Sequence, residues 1–392
     1  MEIESKPGEF TQESTNIHSR DVCRHDCNDI QGIPWNTSAM NISRRNLRIR
    51  RLRTYHAYRS CPIPEENFVD NTLYNDCPFF EFNANHPQAE CCYKHFQLRN
   101  CVQYTNDNEI LYLSRGNSIF SFNPFSRKTR KIKSSAVDIV SYHSWNNYLV
   151  CGGLEGELQI SDLEGNTIKD IIIADEDSTK ITNHCEFFND GNGVKVMACN
   201  NDKKVRIMDP NTLETQLQFE FIACVNKAAI SYDYSLIAAA LDDEDVYIQD
   251  YRTGQMTHKL TGHKDYTFGV AWHPNNGNIL ATGNQDGVGM IWDIRKGTEV
   301  QPLHTLCGFM GSVLNLAFSE NGEFMAFSES GDFVSIYDTR SFDERQVIDG
   351  FGEISGICFT KEPNSLYFYI GYADDSFNSL LELRKKESDL DF

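Results

Sequence analysis

One pattern constrains the fold more than any other: a short apolar stretch that ends in aspartate and recurs five times. The five stretches end at Asp162, Asp209, Asp250, Asp293 and Asp338. The intervals between these aspartates are 47, 41, 43 and 45 residues. A period of about 40–45 residues is that of one four-stranded blade of a β-propeller. The sequence therefore predicts a ring of blades, one for each interval.

The best-formed unit runs from His263 to Arg295 and carries both a Gly-His pair and a Trp-Asp pair. Its hairpin turn, 284–287, ends in Asp-Gly, which is the favoured type I′ pair. In these signatures the unit closely resembles the WD-repeat family. The resemblance implies a buried hydrogen-bonded tetrad, which here comprises His263, Thr282, Asp286 and Trp292. A buried carboxylate and a buried indole N–H each need such partners.

Neighbouring units are degenerate, since Phe351-Gly352, Phe309-Met310 and Ile222-Ala223 stand where Gly-His is expected. A full tetrad is therefore expected in one blade only. Seven blades can still be placed along the chain, at 98–133, 134–174, 178–221, 223–262, 264–308, 311–350 and 353–385. The last has three strands, and the aromatic run 79–82 could supply its missing outer strand and close the ring. The expected fold class is all-β, a seven-bladed WD-repeat β-propeller with a partly disordered N-terminal extension.

The predicted ring divides the chain into four parts: an extension at 1–66, a lead-in at 67–97, the propeller at 98–385 and an acidic tail at 386–392. In the extension, the segment 31–35 is an apolar patch within a polar stretch. It is either a tether that packs Ile33 and Trp35 onto the propeller or a short motif for a partner. The combination of this segment, an arginine-rich stretch and a divergent propeller resembles a group of fungal and plant WD-repeat proteins.

The arginine-rich stretch 43–59 holds seven arginines and no acid. Without it, the chain has 29 basic and 56 acidic residues, a net charge of −27, against −20 for the whole. Ser43 could cap a short helix with an apolar face formed by Leu47, Ile49, Leu52, Tyr55 and His56. Arginine favours bidentate contacts and stacking. The segment packs either on an external partner or on its own propeller, where the acidic stretch Asp242–Asp245 is the candidate acceptor. The candidate partner-binding arginines are Arg44, Arg45, Arg48, Arg50, Arg51 and Arg53.

Catalytic motifs are absent from the sequence: it has no nucleophile elbow, Walker loop, dinucleotide fingerprint or His-Glu-x-x-His. Cys23 and Cys27, with His18 and His25 nearby, lack the second ligand pair of a zinc site. Cys91 and Cys92 are adjacent, so their side chains would point to opposite faces of a strand. We expect no enzyme activity, no cofactor and no metal.

An aromatic-Asp-x-Arg pattern repeats in consecutive blades, as Trp292-Asp293-Ile294-Arg295 and Tyr337-Asp338-Thr339-Arg340. The stretch Asp250-Tyr251-Arg252 has the Asp-x-Arg part of the pattern without the aromatic residue. It resembles the DWD box of WD-repeat substrate receptors for cullin-four RING ubiquitin ligases, in which the arginine faces the adaptor. The resemblance implies that Asp293, Arg295, Asp338 and Arg340 bind a partner, and that the 43–59 stretch adds contacts. The alternative is that each arginine simply pairs with a nearby carboxylate.

Composition narrows the function classes further. The net charge of −20 argues against coating nucleic acid, because phosphate binding needs a local excess of cations. The N-terminus has no apolar signal-peptide region, and no apolar run is long enough to span a membrane. We therefore expect reduced cysteines and a cytoplasmic or nuclear location. The expected function is a non-catalytic protein-interaction scaffold in a regulatory complex. The alternatives are a ubiquitin-ligase substrate receptor and an RNA-associated or nuclear regulatory factor acting through the arginine-rich segment.

Overall fold

A computed structural model describes residues 29–30, 33–34, 44–55, 58–61, 75–76, 79–175, 179–361, 366–374 and 377–386. Before the ring it contains a two-stranded hairpin, β1 (Asp29–Ile30) and β2 (Ile33–Pro34). A single helix follows, α1 (Arg44–Thr54), and then two further strands, β3 (Asn75–Asp76) and β4 (Phe80–His86). Ser43, Trp35, His56, Cys23, Cys27, His18 and His25 lie outside the described residues.

The remaining strands form antiparallel sheets that follow one another along the chain. The first two blades contain β5 (Val102–Tyr104), β6 (Ile110–Ser114), β7 (Ser118–Asn123), β8 (Lys128–Ser134), β9 (Ile139–Trp145), β10 (Tyr148–Gly153), β11 (Glu157–Asp162) and β12 (Thr167–Ile172). The third and fourth contain β13 (Thr182–Asn189), β14 (Val194–Asn200), β15 (Lys204–Met208), β16 (Thr215–Glu220), β17 (Val225–Ile230), β18 (Leu236–Leu241), β19 (Val246–Asp250) and β20 (Met256–Leu260).

The fifth blade contains β21 (Thr267–His273), β22 (Asn276–Asn284), β23 (Val288–Asp293) and β25 (His304–Cys307), and a short 3-10 helix (Ile294–Lys296) follows β23. Between them β24 (Glu299–Val300) pairs in parallel with β20, so the fourth blade gains a fifth strand that the sequence pattern does not predict. The last two blades contain β26 (Val313–Phe318), β27 (Phe324–Glu329), β28 (Gly331–Asp338), β29 (Glu344–Phe359), β30 (Tyr367–Tyr372) and β31 (Ser379–Lys385).

The recurring aspartates mark the same place in their blades. Asp162, Asp250, Asp293 and Asp338 are the last residues of the third strands, and Asp209 directly follows one. Each third strand is buried, so its apolar residues lie in the interior of the blade. The aspartate at its end marks the point where the chain leaves the strand at the edge of the ring. The predicted all-β WD-propeller fold class is confirmed, with seven blades among the described residues, each built on four antiparallel strands.

The ring is closed by pairing between its two ends. Strand β4 pairs antiparallel with β31, with Leu383 opposite Phe82 and Lys385 opposite Phe80. The preceding blade is joined to this one without a break, because the 16-residue strand β29 contributes to both. The aromatic residue Phe80 packs in the core of the joined pair.

The hydrophobic core lies between neighbouring blades. Ala238 and Ile248 of the fourth blade, for example, pack with Val270, Trp272 and other residues of the fifth. The indole of Trp272 also donates a hydrogen bond of 3.0 Å to the carbonyl of Ala229, across the same boundary. Each blade thus buries its face only against its neighbours, as expected of a circular repeat.

The turn 284–287 differs from the sequence expectation. Within the described chain, Gly287 has φ of +87°, but Asp286 is not among the residues with positive φ. A type I′ turn needs positive φ at both central residues, so that prediction is wrong. The side chain of Asp286 is instead committed to three hydrogen bonds, from His263 and from the backbone N–H groups of Lys264 and Val288.

Candidate interaction surfaces

The four tetrad residues lie together in the fifth blade as one chain of hydrogen bonds. Trp292 Nε1 donates to Thr282 Oγ1 at 2.8 Å, and this hydroxyl lies 2.8 Å from His263 Nε2. His263 Nδ1 lies 3.0 Å from Asp286 Oδ2. Because a carboxylate only accepts, Nδ1 carries the proton and the Thr282 hydroxyl donates to Nε2. All four side chains are buried, so this arrangement holds the blade together and cannot bind a partner directly.

In the sixth blade a different buried residue, which the sequence pattern did not indicate, makes the link that the histidine makes in the fifth blade. Its Phe309-Met310 pair replaces Gly-His, and the buried Glu329 accepts the N–H groups of Phe309, Met310 and Gly311 at 2.6–2.7 Å. A carboxylate that receives three backbone N–H groups can replace the histidine link. Apart from the missing Gly-His, nothing in the local sequence signals this role.

The two Asp-x-Arg motifs have the same geometry in adjacent blades. Arg295 Nε and Nη2 donate to Asp293 at 2.9 and 2.6 Å, and Arg340 pairs with Asp338 in the same bidentate way. The arginine side chains are 64% and 81% exposed, whereas the aspartates are buried. The hydrogen bonds from Arg295 lower the pKa of Asp293. Burial acts to raise the pKa of Asp338, but the hydrogen bonds from Arg340 lower it overall.

These two arginines define a surface that we call the arginine rim. Both follow third strands, and so lie at the edge where those strands end. In the third motif, Asp250 accepts the backbone N–H groups of Arg252 and Thr253, and no bidentate side-chain pair with Arg252 is seen among the described contacts. The rim is therefore centred on the fifth and sixth blades.

The arginine-rich segment lies at the opposite edge of the ring, against the sixth and seventh blades. Arg48 and Arg51 of α1 both reach the buried Asp332, at 2.5–2.6 Å, and Arg48 also pairs with Asp349. Asp332 lies at the start of β28 and Arg340 just beyond its end, so the eight-residue strand separates them by about 25 Å. We call the edge that receives α1 the extension face.

The contacts of α1 decide between the two sequence interpretations for these residues. Arg48 is only 2% exposed, so it contacts its own propeller and offers no surface to an external partner. Arg50 and Arg53 are exposed, and the side chains of Arg44 and Arg45 lie outside what is described. The acceptors of Arg48 and Arg51 are Asp332 and Asp349, and not the expected stretch 242–245. In that stretch Asp242 contacts Asn226, Asp243 contacts Tyr247 and Asp245 contacts Lys259.

The chain continues across the extension face beyond α1. The backbone N–H of Ser60 donates to Asp265 at 3.0 Å, and the Ser60 hydroxyl accepts from Gln285 at 2.7 Å. Tyr58 packs edge-on against Phe96 of the lead-in, with 5.1 Å between ring centroids. The extension and the lead-in therefore cover part of this face with the protein's own side chains.

The central channel is nearly filled. Leu98, four residues before β5, packs with Val140, Phe268 and Leu314 from three different blades. The remaining cavity beside it holds about 20 Å³, close to the space for one water molecule. Sequence reasoning placed Leu98 at the edge of the first blade and did not predict this plug.

Several titratable residues line or surround the channel. Burial lowers the pKa of His143 to about 4. Burial also lowers the pKa values of His184 and Lys227, and His184 Nε2 lies 3.1 Å from Glu186 Oε2. Beside His184 and Lys227 the cavity has space for about one water molecule.

Cysteine and metal chemistry add no site within the described residues. The ten cysteines described there are all free, Cys91 is buried and Cys92 half-buried. Burial raises the pKa of Cys92 to about 11. No group of three or more His, Cys, Asp or Glu side chains could hold a metal ion in this part of the chain. The one described helix is too short and too polar to cross a bilayer.

Comparison with known proteins is consistent with this architecture. The model of the family "WD domain, G-beta repeat" matches residues 254–293, the span that contains all four tetrad residues. WD repeat-containing protein ATCSA-1 of Arabidopsis thaliana is 33% identical over 98 residues, 24% of this chain and 22% of that protein.

Two further proteins are similar to part of this chain. Activating molecule in BECN1-regulated autophagy protein 1B of Danio rerio is 37% identical over 71 residues, 18% of this chain and 5% of that protein. Periodic tryptophan protein 2 homolog of Dictyostelium discoideum is 30% identical over 123 residues, 31% of this chain and 13% of that protein. The matches thus span about a fifth or less of the length of these relatives.

Proposed function

Because the chain belongs to the WD-repeat family, we propose that it is a non-catalytic scaffold of a regulatory complex that binds a protein partner through the arginine rim. One observation carries the proposal: Arg295 and Arg340 are exposed, adjacent in the ring and held in the same orientation by buried aspartates. A side chain fixed in this way loses little conformational entropy when a partner binds.

The chemistry of the rim favours an acidic partner surface. Each guanidinium uses Nε and Nη2 for its own aspartate, which leaves Nη1 for an acceptor on the partner. Charge-assisted hydrogen bonds of this kind are stronger than neutral ones. The extension face is less available, because α1, Ser60 and the lead-in already contact it.

We place the protein in the cytoplasm or the nucleus. Cys151, Cys185 and Cys199 each lie in the apolar core as thiols, and burial raises the pKa of Cys151 to about 12. Proteins that use cysteine as a small apolar core residue are typical of reducing compartments.

Affinity purification followed by mass spectrometry tests the scaffold proposal. The full chain is compared with R295A/R340A and with R130A, a matched control on β8 whose side chain is 56% exposed. We expect at least one partner to be lost with the rim variant and kept with the control. Equal recovery from all three proteins would contradict the proposal. Because Asp293 and Asp338 are buried and lose their arginine partners in the rim variant, its melting temperature is measured beside that of the parent to show that it is folded.

A finer version makes the partner a cullin-RING ligase adaptor, with the protein as a substrate receptor. The observation that favours it is the repetition of one bidentate Asp-x-Arg geometry in two consecutive blades. Here R295K/R340K is the sharper variant, because lysine keeps the charge but loses the planar fork. Loss of a ligase adaptor with both the lysine and the alanine variants supports the receptor role. If the parent protein recovers no adaptor, that role is refuted while the scaffold proposal stands.

An RNA-associated role through the arginine-rich segment is less favoured. Arg48 and Arg51 are engaged by carboxylates of the propeller, which leaves Arg50, Arg53 and Arg59 exposed. Phosphate binding strength grows with the number of cations that can reach the backbone, and the segment offers fewer than its sequence suggests.

A further inference from the structure

We propose that the pocket around Arg48 is a binding site for an arginine side chain on a helical segment of a protein partner, and that α1 is the ligand that fills it within the chain. The pocket, called the Arg48 pocket below, consists of Asp332, Phe333, Asp349, Gly350 and Phe351. It lies on the extension face, so the proposal does not depend on the arginine rim.

The pocket contacts the guanidinium through two carboxylates, a backbone carbonyl and two aromatic rings. Two carboxylates receive the donors of Arg48, Asp332 at Nη1 and Asp349 at Nη2, and the Gly350 carbonyl also accepts from Nη2. The ring centroids of Phe333 and Phe351 lie 4.7 and 4.0 Å from the guanidinium carbon. Planar stacking combined with forked acceptors selects arginine over lysine.

The propeller holds the walls of this pocket in place by itself. Asp332 accepts the backbone N–H of Gly352 at 2.9 Å, independently of the helix. Phe333 packs against Phe309 and Phe351 against Phe377, with 5.4 and 5.6 Å between ring centroids. A site whose walls are braced from behind keeps its shape when the ligand leaves.

Position 350 adds to this preformed shape. A Cβ atom there would collide with the Tyr372 hydroxyl, so only glycine lets the backbone carbonyl reach the guanidinium. The Tyr372 hydroxyl is buried behind the pocket and has no hydrogen-bond partner within the described structure. Arg48 Nε is likewise buried there without a partner. The pocket therefore keeps one buried hydroxyl that its present occupant does not use and that a different ligand could contact.

The helix α1 has the properties of a ligand that can dissociate. It has 11 residues, and helices this short are barely stable alone in water. Its apolar contacts with the propeller come from Leu47, Leu52 and Tyr55, at the two ends of the pocket. Together with Arg48 and Arg51 these residues give the pattern Leu-Arg-x-x-Arg-Leu-x-x-Tyr. A partner helix with this pattern would present the same side chains.

The energetics allow one arginine to replace another but disfavour an empty pocket. A buried ion pair gains little over apolar packing, because desolvation offsets the attraction. Emptying the pocket is costly, however, because the buried carboxylates of Asp332 and Asp349 lose the guanidinium that they contact. The site is therefore expected to be filled at all times by one arginine or another.

The first experiment asks whether the pocket accepts a guanidinium that is not part of the chain. The full-length R48A variant is melted with and without 10 mM methylguanidinium, with methylammonium at the same concentration as the control cation. We expect methylguanidinium to raise the melting temperature of R48A by about 2 °C or more relative to methylammonium. The parent protein and R48A/D349N should show no such difference. Equal effects of the two cations on R48A would overturn the proposal.

The second experiment tests a helical ligand in trans. A fluorescent peptide of residues 43–59 is titrated into full-length R48A/R51A, whose own helix is a weakened competitor. Binding should be at least tenfold tighter than to the parent protein and at least tenfold weaker after D349N is added. A peptide with Arg48 replaced by lysine should also bind at least tenfold more weakly. Lack of binding to R48A/R51A, or binding unaffected by D349N, would contradict a partner site.

A third measurement keeps the proposal testable if those variants fail to fold. Hydrogen exchange of residues 44–54 is followed in the unmodified chain with an excess of isotope-labelled 43–59 peptide. Displacement predicts at least threefold faster exchange of α1, whereas the same peptide with Arg48 and Arg51 replaced by alanine should have no effect. Unchanged exchange at saturating peptide would refute a displaceable ligand.

Discussion

The Thr282 hydroxyl stands at the centre of the tetrad, which makes T282V the most informative test of the blade. The hydroxyl accepts from Trp292 Nε1 and donates to His263 Nε2, each at 2.8 Å. Valine has almost the same shape but neither donor nor acceptor, so both partners would lose a hydrogen bond inside the core. Thr282 and Trp292 are fully buried and His263 is 4% exposed, so water cannot easily replace the hydroxyl.

The magnitude follows from the number of groups left unsatisfied. Each buried polar group without a partner costs about 1–3 kcal/mol, so two groups predict a loss of about 2–6 kcal/mol in the free energy of unfolding. Serine at the same position keeps the hydroxyl and removes one methyl group, which predicts about 1 kcal/mol. Unfolding entropy scales with chain length, and for a ring of about 300 residues each kcal/mol shifts the melting temperature by roughly 1.5 °C.

Urea unfolding of the parent protein, T282S and T282V measures these losses, with unchanged m values as the condition for comparing midpoints. A double-mutant cycle of T282V with W292F then isolates the indole–hydroxyl bond, because the phenylalanine variant has no N–H to leave unpaired. Should T282V destabilise no more than T282S, the hydrogen-bond chain would not be what holds this blade together, and the reasoning would be refuted.

Three further predictions concern other groups. E329A should destabilise by about 3–9 kcal/mol in urea unfolding, at about 1–3 kcal/mol for each of the three backbone N–H groups that it leaves unpaired; a loss below 1 kcal/mol would contradict the capping role. Burial lowers the pKa of His143 to about 4 against 6.5 in the unfolded chain, a shift opposed by Glu186 and increased by His184 and Lys361. The unfolded chain therefore binds more protons below pH 6.5, and stability should fall by about 2 kcal/mol at pH 5 and about 3 kcal/mol at pH 4. H143N should flatten that part of the profile, and an unchanged slope would exclude His143 as its source. Finally, burial raises the pKa values of the core thiols, so Ellman's reagent should label them only after denaturation, and rapid labelling of native Cys185 or Cys199 would be contrary to the structure.

Much of the fold can be predicted from the sequence because the blade is a local unit. Each strand pairs with the next along the chain, and the period of the aspartates directly reports the length of that unit. The turn at Asp286-Gly287 shows the limit of local rules: Asp-Gly favours a type I′ turn, but the carboxylate is held by His263, Lys264 and Val288, and only Gly287 has positive φ.

The candidate surfaces were harder to predict because their decisive contacts join residues far apart in the chain. Arg48 and Asp332 are 284 residues apart, and nothing in either local sequence indicates that they meet. The alternative acceptor, the acidic stretch 242–245, has the denser charge but contacts other partners. Glu329 and Leu98 were likewise missed, since a cap and a plug become recognisable only when neighbouring blades surround them.

By itself the sequence determined the repeat, the blade length, the signatures at His263 and Trp292, and the contrast between an acidic body and an arginine-rich strip. Those properties depend on the spacing of residues along the chain, because each blade forms by pairing between strands that are close in sequence. Only the tertiary structure decided where the strip goes: α1 docks at one edge of the ring, where the pairing of β28 with β29 places two carboxylates and two aromatic rings in contact with the guanidinium of Arg48. Arg295 and Arg340 lie at the other edge, because each third strand runs from one side of the ring to the other.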